Sequence, residues 1–223
     1  MEASSLPPHL RLRKFLGRIR RRFAVDVFDV FVRPVPGDAS FASPDGYEFA
    51  WGTAGDLARC DPFHTELDER ERAEGQRRLG FGHLLVIAFH RGVPVFTMWA
   101  NPRNLNVPGL MKRRLEPHQW FIYKAFTSPE HRGRKLYENG MRFVLTEMRR
   151  RGLAELVGYA HVDKGVSRKG LAALAFESVG RVTRVDFPLL CFTRLSPELA
   201  ARFPHAVPRS GAMTREETSP RPA

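Results

Sequence analysis

Cysteine is scarce in this sequence, and long apolar runs are absent from it. Its 223 residues include two cysteines, Cys60 and Cys191, which lie far apart and in no metal-ligand spacing. That scarcity argues against a disulfide framework and against a metal site, and it predicts a reducing compartment. The longest apolar runs, such as residues 84–89, are too short to cross a bilayer, and no apolar stretch of signal-peptide length follows the basic N-terminus. We therefore expect a cytoplasmic protein without a membrane span.

Acidic residues are few relative to basic ones. The chain has 36 Lys and Arg against 24 Asp and Glu, a formal net charge of +12 and a pI near 10.6. This surplus favours anionic partners such as phosphate-bearing cofactors, acidic carrier proteins, nucleic acid or anionic lipid. It is equally typical of the solvated surface of an arginine-rich protein, so the charge alone does not decide between these interpretations.

The basic charge is densest near the N-terminus. Residues 10–23 have the pattern of a short amphipathic helix, and residues 11–22 hold seven cations and no acid. Such a helix packs on its own domain or offers a surface to an acidic carrier protein, lipid head groups or RNA. The interleaved aromatic residues of a base-stacking platform are missing, which disfavours nucleic acid.

Hydrophobic periodicity predicts a mixed α/β sheet with helices on both faces. The predicted strands are 25–32, 47–52, 84–89, 93–100, 120–127, 154–162 and 181–192, and the predicted helices are 53–79, 134–151 and 167–176. Residues 101–109, rich in Asn and Pro, are predicted to be a loop. We expect three parts: a basic helix with an extra strand at 1–40, the main domain at 41–195 and a flexible tail at 196–223.

Residues 121–152 contain the pattern that most strongly indicates a chemical function. Pro129 ends a strand, and His131-Arg132-Gly133-Arg134 turns into a helix whose first amide groups lack intrahelical partners. Those amides, the positive end of the helix dipole and the neighbouring cations favour an anion. This arrangement suits a pyrophosphate group as the ligand.

This segment resembles the acyl-carrier motif of the GNAT superfamily of acyltransferases, in which the turn reads roughly Pro-x-x-Arg-Gly-x-Gly-Leu-Gly/Tyr. The matching run here is Pro129-Glu130-His131-Arg132-Gly133-Arg134-Lys135-Leu136-Tyr137. Downstream, Ser167 and Phe176 keep the family's nine-residue spacing after a strand, and the hairpin 84–100 resembles the family's central strand pair. The resemblance covers roughly residues 47–192.

The resemblance implies a mostly antiparallel central sheet and an acyltransferase that needs no metal. Acetyl-CoA or another acyl-CoA would be the co-substrate, and a small-molecule or peptidic amine would attack it directly in a ternary complex. The pantetheine arm would enter between strands 120–127 and 154–162, where backbone N–H groups near Ala125 and Thr127 would polarise the thioester carbonyl. The further donor-binding residues that it implies are Arg132, Gly133, Arg134, Lys135, Leu136, Tyr137 and Ser167.

The resemblance singles out no general base. Tyr123 lies where some relatives place a histidine base, and because a free tyrosine has a pKa of about 10, it would orient a water or the amine. His161 lies near the end of the neighbouring strand and is a second candidate, because histidine in general can act as a base near neutral pH. Tyr137 is a candidate for protonating the leaving thiolate, since Leu171 occupies the position of the tyrosine that many relatives use. Asp163 and Tyr159 remain as alternatives.

Three positions depart from the family pattern. Lys135 replaces the turn glycine, Lys164 replaces an asparagine, and Ala175 replaces the glycine before Phe176. These departures leave two other hypotheses open. In the first, the donor is an acyl group on an acidic carrier protein that docks through residues 10–22. In the second, the chain is a degenerate, non-catalytic binding protein with an anionic partner.

Overall fold

One large sheet with helices on both faces makes up most of the protein, as seen in a computed structural model that describes residues 24–107, 111–186 and 191–205. The helix predicted at 10–23 lies outside these residues. The strands are β1 Ala24–Pro34, β2 Glu48–Gly52, β3 Leu84–His90, β4 Val93–Asn101, β5 Asn104–Val107, β6 Met111–Arg114, β7 Gln119–Thr127, β8 Glu155–His161, β9 Glu177–Asp186 and β10 Cys191–Leu195. The helices are α1 Ala54–Arg59, α2 Pro62–Thr65, α3 Glu69–Gly80, α4 Leu136–Arg150, α5 Gly165–Ala173 and α6 Pro197–Arg202, and Pro129–His131 forms a 3-10 turn.

The eight strands of the large sheet lie in the order β10-β9-β1-β8-β7-β4-β3-β2. All neighbours pair antiparallel except β7 and β8, which run parallel and are connected through α4. A parallel pair needs such a crossover, whereas β3 and β4 are joined by two residues with left-handed backbone, Arg91 (φ 51°) and Gly92 (φ 77°). The prediction of a mixed, mostly antiparallel sheet flanked by helices is confirmed.

Each face of the sheet buries its own apolar side chains, because successive residues of a strand point to opposite faces. We call the side covered by α4 and α5 the α4 face; its core includes Val86, Phe96, Met98, Trp120, Ile122, Met141 and Val144. We call the other side the α3 face. It is covered by α1 to α3, by the β5–β6 hairpin and by α6, and its core includes Leu57, Leu85, Trp99, Leu105, Phe121, Val157 and Phe203.

The N-terminal strand lies inside the sheet. β1 pairs antiparallel with β8 on one side and with β9 on the other. The predicted boundary at residue 40 stays a prediction, but β1 is an integral strand of the sheet and not an addition to its edge. Among the described residues, no helix is long and apolar enough to cross a membrane.

Two segments that the sequence predicted to be irregular contain regular structure among the described residues. Residues 104–107 and 111–114, around the predicted loop 101–109, pair as a two-stranded hairpin in which Leu105 and Val107 are fully buried. The alternation Asn-Leu-Asn-Val was a strand signal that the neighbouring Pro and Asn residues obscured. The tail expected from residue 196 begins instead with α6, because Ser196 caps this helix and Leu199 and Phe203 are buried against the sheet.

Candidate active site

The site begins where β7 and β8 separate. The two strands pair only at residues 119–121 of β7 with 155–157 of β8. On the β4 side, the register of β7 shifts at a bulge containing Lys124, whose φ is 51°. Beyond Phe121, therefore, the β8-facing edge of β7 has backbone groups outside the sheet ladder, and these groups are available to a ligand in the gap.

A cleft of about 670 Å³ occupies this gap. Tyr137, Met141 and Leu171 line it and belong to the core of the α4 face. Phe28 and Tyr159 also line it, but they are partly buried and pack against the core of the α3 face. Since the lining comes from both sides of the sheet, two molecules that approach from opposite faces can meet between the strands.

The turn before α4 presents backbone amides to the α4 side of the cleft. Ser128 is buried and its N–H bonds to the carbonyl of Val95 at 2.8 Å, which fixes the end of β7. Gly133 (φ 76°) and Lys135 (φ 57°) then have left-handed backbone, and α4 starts with no side-chain cap from Lys135. The first amides of α4 are left for an anion. The left-handed geometry at Lys135 also explains why the family pattern favours glycine there, since a side chain costs about 1 kcal/mol in this region.

The structure brings most of the predicted donor residues together. Five of them line the cleft: Ala125, Thr127, Arg132, Tyr137 and Ser167. Three others, Gly133, Arg134 and Lys135, are exposed in the turn. Leu136 is 1% exposed and packs in the core of the α4 face, so its side chain is unavailable and only its backbone can reach a ligand.

Tyr137 lies in the first turn of α4 and faces α5, where its ring is close to Gly170. Burial raises the pKa of the Tyr137 hydroxyl above its ordinary value. Within the described part of the chain, no hydrogen-bond partner of this hydroxyl is found. Tyr137 therefore keeps its proton at neutral pH and can donate it to a group in the cleft.

His161 lies at the cleft with both ring nitrogens engaged. Its Nδ1 accepts the backbone N–H of Asp163 at 3.1 Å, and its Nε2 lies 3.8 Å from Oδ1 of Asp26. An accepting Nδ1 puts the proton of the neutral ring on Nε2. In this geometry His161 offers an N–H to its surroundings and keeps no free lone pair with which to take a proton.

Tyr123 lies on the α3 side of the cleft. It makes hydrogen-bonding contacts there that the sequence did not indicate. Its hydroxyl is 2.6 Å from Nδ1 of His83, and Nε2 of His83 is 3.1 Å from Nδ2 of Asn101. Burial raises the pKa of Tyr123. Burial also lowers the pKa of His83 to about 4, with help from the nearby Arg78, so this ring is neutral at physiological pH.

Asp29 connects the α5 wall of the cleft to β1. This carboxylate, 4% exposed in the middle of β1, accepts from Arg181 of β9 at 2.8 Å and from Arg168 of α5 at 2.9 Å. Since α5 carries Ser167 and Leu171, Asp29 holds one wall of the cleft in place. No local motif predicted this role, because the ion pair joins residues far apart in sequence.

A cluster of aromatic and histidine rings packs against the turn before α4. The hydroxyl of Tyr47 is 2.9 Å from Nδ1 of His131, and the His131 ring lies 5.0 Å from that of His90. Burial and the nearby His90 lower the pKa of His131. Across the described ranges, no group of three or more His, Cys, Asp or Glu side chains is arranged to hold a metal ion.

No protein-family model matches the sequence, and the comparison with curated proteins gives no match. Solved structures do match the fold. A structure assigned to the GNAT family of acetyltransferases, from Novosphingobium aromaticivorans, is 19% identical, with a TM-score of 0.52 over 74% of this chain and 65% of that one. A tandem GNAT protein from the clavulanic acid biosynthesis pathway is 15% identical, with a TM-score of 0.52 over 87% of this chain and 61% of that one.

A Drosophila protein is similar to the same degree, with 12% identity, a TM-score of 0.52 and coverage of 82% of this chain. The chain spans 59–65% of the length of these three structures. At such identities the likeness concerns the fold alone. Together with the parting of β7 from β8 and the turn before α4, it shows that this chain has the fold of the GNAT acetyltransferases.

Proposed function

We propose that the protein is an N-acyltransferase that transfers an acyl group from acyl-CoA to an amine by direct attack in a ternary complex. The observation that carries this proposal is the cleft between β7 and β8, which is lined from both faces of the sheet. Direct transfer needs two substrates in contact, and a gap reached from two sides lets each arrive by its own route.

The donor would bind on the α4 side. Its pyrophosphate would lie against the first amides of α4, with Arg132 at the mouth of the cleft, and Lys164 and Ser167 of the opposite wall would flank it. The pantetheine arm would then run into the gap along the open edge of β7. There, backbone N–H groups near Ala125 and Thr127 would hydrogen-bond the thioester oxygen as it gains negative charge.

The acceptor would come from the α3 side, past Tyr159 and Tyr123. Its neutral amine attacks the thioester carbon, the C–S bond breaks, the sulfur leaves as a thiolate, and the attacking nitrogen releases one of its protons to water in the cleft. Tyr137 lies on the α4 side of the cleft and keeps its proton at neutral pH, so it would protonate that thiolate and then regain a proton from water. The N–H of His161 beside Asp26 suits a hydrogen bond to an acceptor atom of the substrate other than the attacking nitrogen, and it is not suited to removal of the amine's proton.

A donor screen tests the proposal. The purified protein is incubated with acetyl-CoA, with a longer acyl-CoA or with an acyl group on acyl carrier protein, each with a mixture of primary amines, and released thiol is measured. We expect acyl-CoA to support release and CoA to raise the melting temperature, because a ligand that binds only the folded state stabilises it. Release from the carrier protein alone would move the proposal to a carrier-dependent donor. The proposal would be overturned if no thiol is released from any donor and millimolar CoA does not raise the melting temperature.

A further inference from the structure

The orientation of the Asn101 amide is fixed by the backbone. Its Oδ1 accepts the N–H of Arg103 at 2.9 Å and the N–H of Asn104 at 3.1 Å. Exchanging oxygen and nitrogen would set an NH₂ group against two N–H donors, so only one orientation is compatible with these contacts. Asn101 is 2% exposed, so its side chain is shielded from solvent. Nδ2 of Asn101 therefore points to His83 as a donor.

This donor determines which nitrogen of His83 is protonated. Nε2 of His83 lies 3.1 Å from Nδ2 of Asn101 and must accept a hydrogen from it. The neutral ring then has its proton on Nδ1, which lies 2.6 Å from the hydroxyl of Tyr123. The charged groups that act on His83 are Arg78 of α3, Lys112 of β6 and Arg103, and all three oppose a second proton on the ring.

The direction of the hydrogen bond at Tyr123 follows. Nδ1–H of His83 donates to the phenol oxygen, so the hydroxyl hydrogen of Tyr123 is not used in this contact. No acceptor for that hydrogen is found among residues 24–107, 111–186 and 191–205. Because Tyr123 lines the cleft, its hydrogen is available to a ligand there.

We propose that Tyr123 is a hydrogen-bond donor to the acceptor substrate, held in that role by Asn101 acting through His83. This inference rests on the proposed function and names the class of acceptor: an amine with an oxygen lone pair, such as a carbonyl oxygen, close to the nitrogen. Tyr123 is the specificity-determining residue in this arrangement, and His83 and Asn101 are positioning residues.

The proton on His83 can be observed whether or not the protein transfers acyl groups. Long-range ¹H–¹⁵N NMR of ¹⁵N-histidine-labelled protein reads the tautomer, and His83→Gln assigns the signal. In the wild type we expect the proton on Nδ1. Asn101→Asp keeps one oxygen for the two backbone N–H groups and turns the other toward His83, so the proton should move to Nε2. Asn106→Asp adds the same charge to the neighbouring strand β5 and should leave the proton on Nδ1.

The acceptor class is tested with two amines of similar shape, glycinamide, which has a carbonyl, and isobutylamine, which has none. With acetyl-CoA as donor, Tyr123→Phe should lower kcat/KM for glycinamide about tenfold, the effect of one lost hydrogen bond, and change that for isobutylamine by less than about twofold. Comparing variant with wild type for each amine cancels their different basicities. Asn101→Asp should have the same selective effect.

Each result has a defined meaning. A wild-type proton on Nε2, or one that Asn101→Asp does not move, overturns the hydrogen-bond direction. Equal losses for the two amines in Tyr123→Phe overturn the role of Tyr123 in choosing the acceptor. If neither amine is acetylated, the proposed function and the acceptor class fail together, while the tautomer measurement still decides the contact between His83 and Tyr123.

Discussion

The two sides of the β7–β8 gap are built in different ways. The α4 side is made largely from one continuous segment, residues 127–137, in which a strand end, a turn and a helix start present backbone groups. The α3 side is made from side chains that lie far apart in the sequence: Tyr123 meets His83 across 40 positions, and His83 meets Asn101 across 18.

This difference matches the two tasks that we propose. The pyrophosphate of the donor is the same whatever acyl group the donor carries, and backbone amides at the start of a helix can bind this constant group. An acceptor is recognised by its own shape and its own hydrogen bonds, which specific side chains must supply. Changes on the α4 side should therefore affect donor binding and the common chemistry, while changes on the α3 side should affect the choice of acceptor.

The largest expected effect is that of Tyr137→Phe. Loss of the proton donor to the leaving thiolate should lower kcat by about 100-fold, since acid catalysis by a positioned side chain contributes at least this much. Steady-state kinetics with acetyl-CoA measures the effect, and calorimetry should find CoA affinity nearly unchanged. Tyr159→Phe removes a hydroxyl from the opposite wall of the same cleft and serves as the matched control, with a loss below about tenfold expected. Equal effects of the two variants would contradict the assignment of Tyr137.

Arg132→Ala should have the next largest effect, and on a different quantity. Because Arg132 is exposed, screening by water and salt limits its contribution, and we expect the Kd for CoA to rise about tenfold at low salt and less at high salt. Calorimetry at two salt concentrations measures both changes. Arg150→Ala, at the opposite end of α4, is the control and should leave the Kd unchanged. An unchanged Kd in Arg132→Ala would mean that the turn is not the pyrophosphate site.

The sequence could predict the α4 side because its determinants are local. Pro129, Gly133 and the amphipathic pattern of α4 specify a strand end, a left-handed turn and a helix start within about 20 residues of each other, as turn chemistry and periodicity do in general. The cleft-lining positions Ala125, Thr127 and Ser167 followed from the resemblance, since they occupy fixed positions relative to that turn.

The α3 side could not be predicted in the same way. Asn101 was assigned to a loop on composition, and its structural role depends on the β5–β6 hairpin, which the sequence analysis missed. His83 stands between a helix and a strand with nothing in its neighbours to mark it. Hydrogen bonds between distant segments exist only once the sheet has formed, so no local pattern encodes them.

His161→Asn should lower kcat/KM by less than the two preceding variants change their measured quantities, because we do not expect His161 to be the general base. The sequence made His161 a candidate base, but its Nδ1 already accepts the N–H of Asp163. The Oδ1 of an asparagine can accept that N–H in its place, so we expect kcat/KM to fall less than about tenfold and the pH profile to keep its shape. A general base would cost at least about 100-fold and remove one limb of the profile. That result would show that the Asp163 contact opens during turnover.

The smallest expected effects come from two positions with left-handed backbone, Lys135 (φ 57°) and Ala175 (φ 55°), where glycine should relieve strain. Each substitution by glycine should raise the free energy of unfolding by up to about 1 kcal/mol, as measured in urea, although the greater freedom of glycine in the unfolded chain offsets part of the gain. Ala175 lies beyond α5 and outside the turn before α4, so Ala175→Gly reports the backbone effect alone.

Any difference between the two variants in CoA binding then belongs to the Lys135 side chain. If its ammonium contacts a phosphate, Lys135→Gly should weaken CoA binding by a few-fold at low salt while Ala175→Gly leaves it unchanged, and added salt should reduce the difference. Tighter binding in Lys135→Gly would mean that the side chain obstructs the turn, and equal binding in both would mean that it points to solvent. Calorimetry at two salt concentrations separates the three outcomes, and it thereby decides whether Lys135 adds a side-chain contact to those of the backbone amides and Arg132.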